Sequence, residues 1–173
     1  MSKNRTVHGV VLALAMGLPV VGMAEQVEQV RLSCPAGTKQ FGGRETMTDR
    51  GVFCVKRSTS EGMPVAHGPY VSYHLNGQKK VVGQHADGAQ SGVWTFFDEN
   101  GVKTEEIEFV GGNYHGRRLQ YFGSGVTKVA EHWVAGKREG SAVTYAENGQ
   151  KLSEQMYRAG HAVKTADAPA ACK

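Results

Sequence analysis

Hydrophobic and aromatic residues occur in short runs that end in polar turn residues along much of this chain. Residues 91–101, SGVWTFFDENG, form one such run, and related segments begin at positions 67, 115 and 139, always 24 residues apart. A short run of aromatic and β-branched residues that ends in Asn-Gly is typical of a β-strand entering a tight turn. The pattern therefore predicts β-hairpins, and its constant period predicts a repeat protein.

Three positions of the 24-residue period are glycine in all four copies. They are Gly68, Gly92, Gly116 and Gly140; Gly77, Gly101, Gly125 and Gly149; and Gly88, Gly112, Gly136 and Gly160. The second set follows asparagine in three copies, which predicts a type I′ turn inside each hairpin, and the third set marks the return turn to the next hairpin. The first set begins a strand, where we expect each glycine to leave room for an aromatic ring.

Two further positions of the period carry large side chains. One holds Tyr73, Phe97, Tyr121 and Tyr145, and the other holds His85, Phe109, Trp133 and Tyr157. A two-residue turn at Asn76-Gly77 would place His85 opposite Gly68. A slightly longer return turn would bring His85 near Gly92 as well.

The repeats predict an all-β protein, an elongated single-layer antiparallel β-meander of four hairpins. The hairpins are expected at 67–90, 91–114, 115–138 and 139–162, with two strands in each and eight in total. Each repeat contacts mainly its neighbours, so both ends of the row need protection. Residues 25–66, with the strand-like segment 51–55, are the expected N-terminal cap, and residues 163–173 are the expected flexible tail.

The cysteine pattern adds a cross-link to this picture. Cys34 and Cys54 lie 20 residues apart in the cap, and Cys172 is the penultimate residue. A disulfide between Cys34 and Cys54 would close a glycine-rich loop and contribute about 3 kcal/mol; free thiols are the alternative. With that pairing, Cys172 is expected to be exposed, and either free or engaged in a disulfide-linked dimer.

The N-terminus has the three-part layout of a secretory signal peptide. Lys3 and Arg5 precede an apolar run at 10–18, and small residues stand at Gly22 and Ala24, which predicts cleavage after residue 24. No cysteine lies at this point, so a lipid anchor is not expected, and no second apolar run could span a membrane. The sequence thus predicts export to the periplasm or beyond, in a compartment where disulfides persist.

The charge balance argues against a nucleic-acid partner. Without Lys3 and Arg5, the 20 Lys and Arg become 18, against 16 Asp and Glu in residues 25–173, a formal net charge of +2. These charges are interleaved, whereas a nucleic-acid-binding surface concentrates basic residues.

The order of residues within the repeat resembles a known family. Gly92, Trp94, Phe97, Asn100 and Gly101 stand in the order of the bacterial variant of the MORN repeat, as found in proteins labelled YwqK-family antitoxins. The third copy departs at Arg118 and Ser124, and the fourth at Ala142. The Cys-bearing leader also resembles that of exported members. The resemblance implies an elongated twisted sheet used for binding, with no catalytic residues.

No constellation in the sequence indicates catalysis, a cofactor or a metal. Nucleophile-elbow, zinc-helix and phosphate-loop motifs are absent from the sequence. Only His67 and His85 are expected to approach each other across a hairpin, and two ligands make a weak metal site. We therefore expect a protein that is not an enzyme, without catalytic, cofactor-binding or metal-binding residues.

Three hypotheses for function remain at this point. The leading one is an exported scaffold that binds another protein in the cell envelope through Tyr73, Phe97, Tyr121 and Tyr145, although the same rings could simply pack together and stabilise the sheet. The family label suggests a periplasmic antitoxin or immunity protein. A partial ladder of Lys79, Lys103 and Lys151 suggests membrane or cell-wall binding.

Overall fold

A computed structural model describes residues 30–42, 51–57 and 62–164. The predicted signal peptide and Cys172 lie outside these residues. The described part contains twelve β-strands and no helix: β1 (Lys39–Phe41), β2 (Val52–Arg57), β3 (Pro64–Tyr73), β4 (Lys79–Ala86), β5 (Ala89–Phe97), β6 (Lys103–Val110), β7 (Asn113–Tyr121), β8 (Thr127–Val134), β9 (Lys137–Arg138), β10 (Gly140–Tyr145), β11 (Lys151–Arg158) and β12 (His161–Val163).

All twelve strands belong to one open antiparallel sheet. Strands follow one another in chain order from β1 to β12, except that the short β9 pairs with β8 beside β10. The predicted all-β meander of hairpins is confirmed, and the eight expected strands correspond to β3–β8, β10 and β11. Strands β1 and β2 extend the sheet at one end, and β12 extends it at the other.

A disulfide ties the N-terminal end of the sheet together. Cys34 and Cys54 are bonded, with their Cα atoms 5.6 Å apart, which confirms the predicted pairing. Cys54 is fully buried in β2. The ring of Pro35 packs so closely over the backbone of Gly68 that a methyl group there would lie 2.7 Å from Pro35 Cδ. The loop that carries Cys34 therefore covers the first repeat.

The turns at Asn-Gly are not of type I′. That turn needs positive φ at both central residues, and Gly77 has φ of 85°, but Asn76 is not among the described non-glycine residues with positive φ. Instead the N–H of Gly77 donates to the carbonyl of His74 at 3.0 Å. Asn76 Oδ1 accepts from the N–H of Gln78 at 3.0 Å. Asparagine thus supports an ordinary turn that ends in one left-handed glycine.

The type I′ geometry occurs at the return turns. Asp87 and Gly88 have φ of 52° and 89°, and Ala135 and Gly136 have φ of 47° and 77°. Ala86 pairs directly with Ala89, so the return turn contains only two residues. The expected longer return turn, and with it the approach of His85 to Gly92, is wrong.

The predicted pairing of His85 with Gly68 is confirmed, and the same two positions pair in the other three repeats. Gly68 pairs with His85, Gly92 with Phe109, Gly116 with Trp133, and Gly140 with Tyr157. In the first hairpin this register arises although the turn differs, because an irregularity between Ser72 and Tyr73 shifts the pairing by one residue.

The expected role of these glycines is wrong. Val82 pairs with Thr95 and Gln84 pairs with Ser91, so residues 92–94 of β5 bulge opposite the single residue between them. Gly92 has φ of 67° inside this bulge, and a methyl group there would approach Gln84 Nε2 and no ring. The glycine is needed for its left-handed backbone, which other residues disfavour.

An aromatic ring does cover a glycine at a position that the repeat pattern did not mark. A methyl group on Gly83 would lie 2.3 Å from Trp94 Cδ2, so the indole lies directly on the backbone of β4. Trp94 Nε1 donates to the carbonyl of Gln84 at 3.2 Å. Trp94 is thereby fixed between β4 and β6, since it also pairs with Ile107.

A continuous row of rings, the aromatic stripe, forms the core on this face of the sheet. It consists of Phe41, Phe53, Tyr70, His85, Trp94, Phe109, Tyr114 and Trp133, with neighbouring ring centroids 5.0–6.1 Å apart. Trp94, Ile107 and Phe109 at its centre are at most 5% exposed. The edge-to-face contacts let each ring shield the next, so a single sheet buries a core of its own.

The return turns depend on left-handed residues, and two substitutions test this dependence. Gly111→Ala should lower the free energy of unfolding by about 1 kcal/mol, because Gly111 has φ of 57°, which alanine disfavours. The added methyl group meets no atom within 4 Å, so the loss reflects the backbone alone. Ala135→Gly should raise it by about 0.5 kcal/mol, since relief of strain exceeds the entropy cost of glycine. Urea unfolding measures both.

Gly123→Ala is the matched control for this pair. Its added methyl group is equally free of contacts, but Gly123 lacks a positive φ. We expect no loss or a small gain in stability. Equal destabilisation by Gly111→Ala and Gly123→Ala would contradict the assigned return-turn geometry.

Candidate functional site: the two faces of the sheet

The two faces of the sheet have different chemistry. Trp94 and Phe96 pack in the core cluster of the aromatic stripe, and side chains alternate along a strand. Phe97, the next residue of β5, therefore lies on the opposite face. Tyr121 lies there as well, because its hydroxyl contacts Glu106, the neighbour of the buried Ile107. We call this second surface the tyrosine face.

The predicted binding column occupies the tyrosine face. Its members Tyr73, Phe97, Tyr121 and Tyr145 are all half-buried. They end alternate strands of the sheet, and none of them takes part in an aromatic pair among the described residues. Packing of these rings on one another is therefore not what holds the sheet together. That role belongs to the aromatic stripe.

Tyr121 is the member of the column with the most polar contacts. Its hydroxyl donates to Glu106 Oε2 at 2.6 Å, and the ammonium of Lys103 lies 4.3 Å from its ring centroid. Lys103 Nζ also lies 3.0 Å from Glu106 Oε1. The bond from Tyr121, together with Lys103, lowers the pKa of Glu106 against the effect of burial. Burial and then Glu106 raise the pKa of Tyr121.

The proposed lysine ladder is largely neutralised by acidic partners. Lys103 pairs with Glu106, and Lys151 Nζ lies 2.8 Å from Glu154 Oε2. The hydrogen bond to each glutamate raises the pKa of both lysines. Positive charge is thus balanced locally, which weakens the attraction of this face for an anionic membrane or glycan.

A buried ion network replaces the tryptophan site in the third repeat. Arg118 stands where the second repeat has Trp94, and it contacts Glu105 at 2.5 Å and Glu131 at 2.8 Å. Burial disfavours the charge of Arg118, but the two glutamates outweigh it and raise its pKa. The side chain of Glu131 is only 6% exposed.

Two further groups complete the contacts of Glu131. Trp133 Nε1 donates to its Oε2 at 3.1 Å. Arg138 Nε lies 3.0 Å from its Oε1. The two groups form an ion pair, but their geometry does not give a hydrogen bond from Nε. Breaking a buried pair would leave an uncompensated charge, so this network ties the third repeat to Glu105 of the second.

The sequence contains a signal for this network. Arg118 and Glu131 pair across a hairpin 13 residues apart, which is also the spacing of Trp94 and Ile107. An oppositely charged pair at the spacing of an apolar pair predicts a cross-strand ion pair. Gly83 had no such signal, since it is glycine in one copy only.

The histidines do not assemble into a site. His67 Nδ1 lies 3.0 Å from Asp87 Oδ1, and Lys56 also bonds to that carboxylate. The bond from Lys56, with help from His67, lowers the pKa of Asp87. His85 instead stands edge-on between Tyr70 and Trp94 in the stripe. The described residues contain no group of three side chains able to hold a metal ion.

Residues 30–42, 51–57 and 62–164 include no helix long and apolar enough to cross a bilayer.

The position of His85 in the stripe makes the stability of the fold depend on pH. Burial lowers the pKa of His85 below its ordinary 6.5, and its Nδ1 is buried without a hydrogen-bond partner. Below about pH 6.5 His85 is protonated in the unfolded chain but resists protonation in the folded chain. The free energy of unfolding therefore falls as the pH decreases below this value. His85→Phe, which copies Phe109 of the second repeat, should remove this dependence.

Urea unfolding at pH 8 and pH 5 tests this expectation. The parent protein and His85→Phe should be similarly stable at pH 8, and the parent should be the less stable of the two at pH 5. The exposed His161→Gln serves as the control and should behave as the parent does. A parallel loss of stability in the parent and in His85→Phe would show that His85 is not responsible.

Comparison with known proteins finds a family match for two of the four hairpins. Residues 90–110 and 138–159 match the family model described as MORN repeat variant. The first match covers most of the hairpin of β5 and β6, and the second covers β10 and β11. No curated protein matches the chain. MORN repeats are generally non-enzymatic modules that bind proteins or membranes. The two matches, together with the hairpin geometry, support a MORN-repeat protein.

Proposed function

We propose that this protein is an exported, non-catalytic scaffold that binds another protein in the cell envelope through its tyrosine face. One observation carries the proposal. The rings of the Tyr73, Phe97, Tyr121 and Tyr145 column are half-buried and recur every 24 residues on the face that the stripe does not use. Since the stripe already supplies the core, these rings are available for contacts with a partner.

The centre of the tyrosine face has the chemistry of a protein-binding patch. Val93 is 55% exposed and lies on the same side of β5 as Phe97. Next to this apolar surface stand the hydroxyl and charges of Tyr121, Glu106 and Lys103. Aromatic rings beside satisfied polar groups are typical of the anchors of protein interfaces.

The aromatic stripe is a weaker candidate for partner binding. Trp94 and Phe109 are at most 5% exposed, so a partner could reach them only by opening the core. Membrane binding is also less favoured, because Lys103 and Lys151 are already paired with glutamates. A protein surface with apolar residues remains the best match for the tyrosine face.

Export is part of this proposal and is supported by two observations. The charged, apolar and small-residue segments of 1–24 are typical of a secretory signal. The Cys34–Cys54 disulfide suits an oxidising compartment, since cytosolic proteins keep most thiols reduced.

Variants on the tyrosine face test the proposed binding surface. Val93→Ser combined with Phe97→Ala removes apolar area from the proposed patch, and it should abolish capture of the specific partner from an envelope extract. The reason is that loss of a central aromatic anchor costs about 2 kcal/mol or more in binding. Cross-linking followed by mass spectrometry identifies what is captured.

The matched control removes exposed apolar side chains that lie outside the strands. Leu75→Ser with Met63→Ser changes residues that are 92% and 64% exposed, in the turn after β3 and just before β3. The control should capture the same protein as the parent, and circular dichroism must show both variants folded. Undiminished capture by the folded Val93→Ser, Phe97→Ala variant would refute binding through this face.

A further inference from the structure

The outer edge of β11 is open in the described part of the chain. β12 pairs only with Met156, Tyr157 and Arg158. Residues 151–155 of β11 are exposed throughout, and Leu152 is 64% exposed. At the equivalent edges of β4, β6 and β8, the first strand of the next repeat pairs instead.

The last described strand, β12, ends where the repeat pattern lacks a glycine. Ala159 and Gly160 form the same left-handed return turn as Asp87 and Gly88, and β12 then begins as β5 does. The next position, Lys164, is the one that holds glycine in all four repeats. The bulge at that position requires a left-handed backbone, which lysine disfavours. Within the described residues a fifth repeat therefore starts after the return turn but does not extend along β11, and residues 151–155 keep an edge suited to one more strand.

The open edge carries the same charged pair as β6. Lys151 Nζ and Glu154 Oε2 lie 2.8 Å apart, and Lys103 Nζ and Glu106 Oε1 lie 3.0 Å apart. The residues of each pair are separated by three positions in the same part of the repeat.

On β6 the neighbouring strand completes this pair with a tyrosine. Tyr121 of β7 donates its hydroxyl to Glu106 and places its ring 4.3 Å from the ammonium of Lys103. On β11 both charged side chains are largely exposed. Tyr145 of β10 pairs with Lys151 on the inner side, as Phe97 pairs with Lys103, but no described strand pairs with residues 151–155 on the outer side. The interface between β6 and β7 thus serves as a template for what the edge can accept.

We propose that the outer edge of β11 binds an extended peptide segment of a partner protein, which adds as an antiparallel strand and places a tyrosine on Lys151 and Glu154. Backbone hydrogen bonds supply affinity, and the tyrosine contact supplies selectivity. This inference deepens the proposed protein-binding function and rests on it, but it uses the outer edge of β11 and not the patch around Val93 and Phe97.

A second copy of the chain fits this edge less well. The other described edge strand, β1, has the sequence Lys-Gln-Phe and offers no tyrosine. The tyrosine of β11 itself, Tyr157, already lies 5.2 Å from the guanidinium of Arg138 and pairs with Gly140. A tyrosine-bearing peptide from another protein meets the chemistry of the edge.

The chain supplies its own probe. A synthetic, fluorophore-labelled peptide of residues 113–122, NYHGRRLQYF, contains the strand that completes the β6 pair. Fluorescence anisotropy should detect its binding to the full chain, and the amide resonances of residues 151–155 should shift. Replacing the peptide tyrosine that corresponds to Tyr121 by alanine should weaken binding about tenfold. Proline in alternate positions of the peptide should abolish binding, because proline lacks the N–H that the ladder needs.

Matched variants of the protein separate the edge from the rest of the molecule. Glu154→Gln should weaken binding of the tyrosine peptide about tenfold, since it removes the charge that the hydroxyl contacts. Glu99→Gln changes an exposed turn carboxylate and should leave binding unchanged. Thermal unfolding must show both variants as stable as the parent.

Several results would overturn the edge proposal. Equal affinity for the tyrosine and alanine peptides would do so, as would resonance shifts outside β11, or self-association of the chain that protects the amides of 151–155 without peptide. The tyrosine-face variant Val93→Ser, Phe97→Ala should still bind the peptide. Failure of peptide binding with intact partner capture removes the edge proposal alone, and the opposite pattern removes the tyrosine face alone.

Discussion

The contact of the Trp94 ring with the backbone of Gly83 is the interaction on which the rest of this structure depends. A single open sheet has no second layer to cover its apolar residues, so the cover has to come from side chains of neighbouring strands. Trp94 lies across β4, donates to Gln84 and pairs with Ile107 on β6. It thereby joins two hairpins and gives the stripe its most buried ring.

The repeats place these rings by backbone geometry more than by side-chain contacts. A left-handed glycine in each bulge and a two-residue return turn fix where the following strand begins and which residues face each other. Within that frame the copies vary: the second uses Trp94 and Ile107, and the third uses Arg118 and Glu131. The same register thus accepts an apolar pair or a buried ion pair, and the tyrosine face keeps one ring per copy in either case.

The sequence predicts the periodic part of the fold and misses features that occur once. Two cysteines in one segment were enough to predict the disulfide. The pairing of His85 with Gly68 was predicted from a two-residue turn, and it occurs because the irregularity between Ser72 and Tyr73 compensates for the different turn. The type I′ turn was predicted at Asn-Gly but occurs at the return turns. Asn-Gly suits two turn geometries, and alanine at Ala135 and Ala159 does not indicate positive φ. The Trp94 ring over Gly83 and the exposed Lys151–Glu154 pair on β11 depend on which strand lies beside them. The sequence pattern does not show this, because it is set by the register of the strands.

A double-mutant cycle between Gly83 and Trp94 measures how far the indole ring depends on the bare backbone of β4. Gly83→Ala should destabilise the parent protein by about 2 kcal/mol, because its methyl group would displace the indole ring. In a Trp94→Leu background the same change should be neutral or slightly stabilising, since alanine in a strand has a lower entropy cost than glycine. A coupling of about 2 kcal/mol between the two positions supports the account. Equal effects of Gly83→Ala in both backgrounds would contradict it and show that the ring does not depend on the bare backbone of β4.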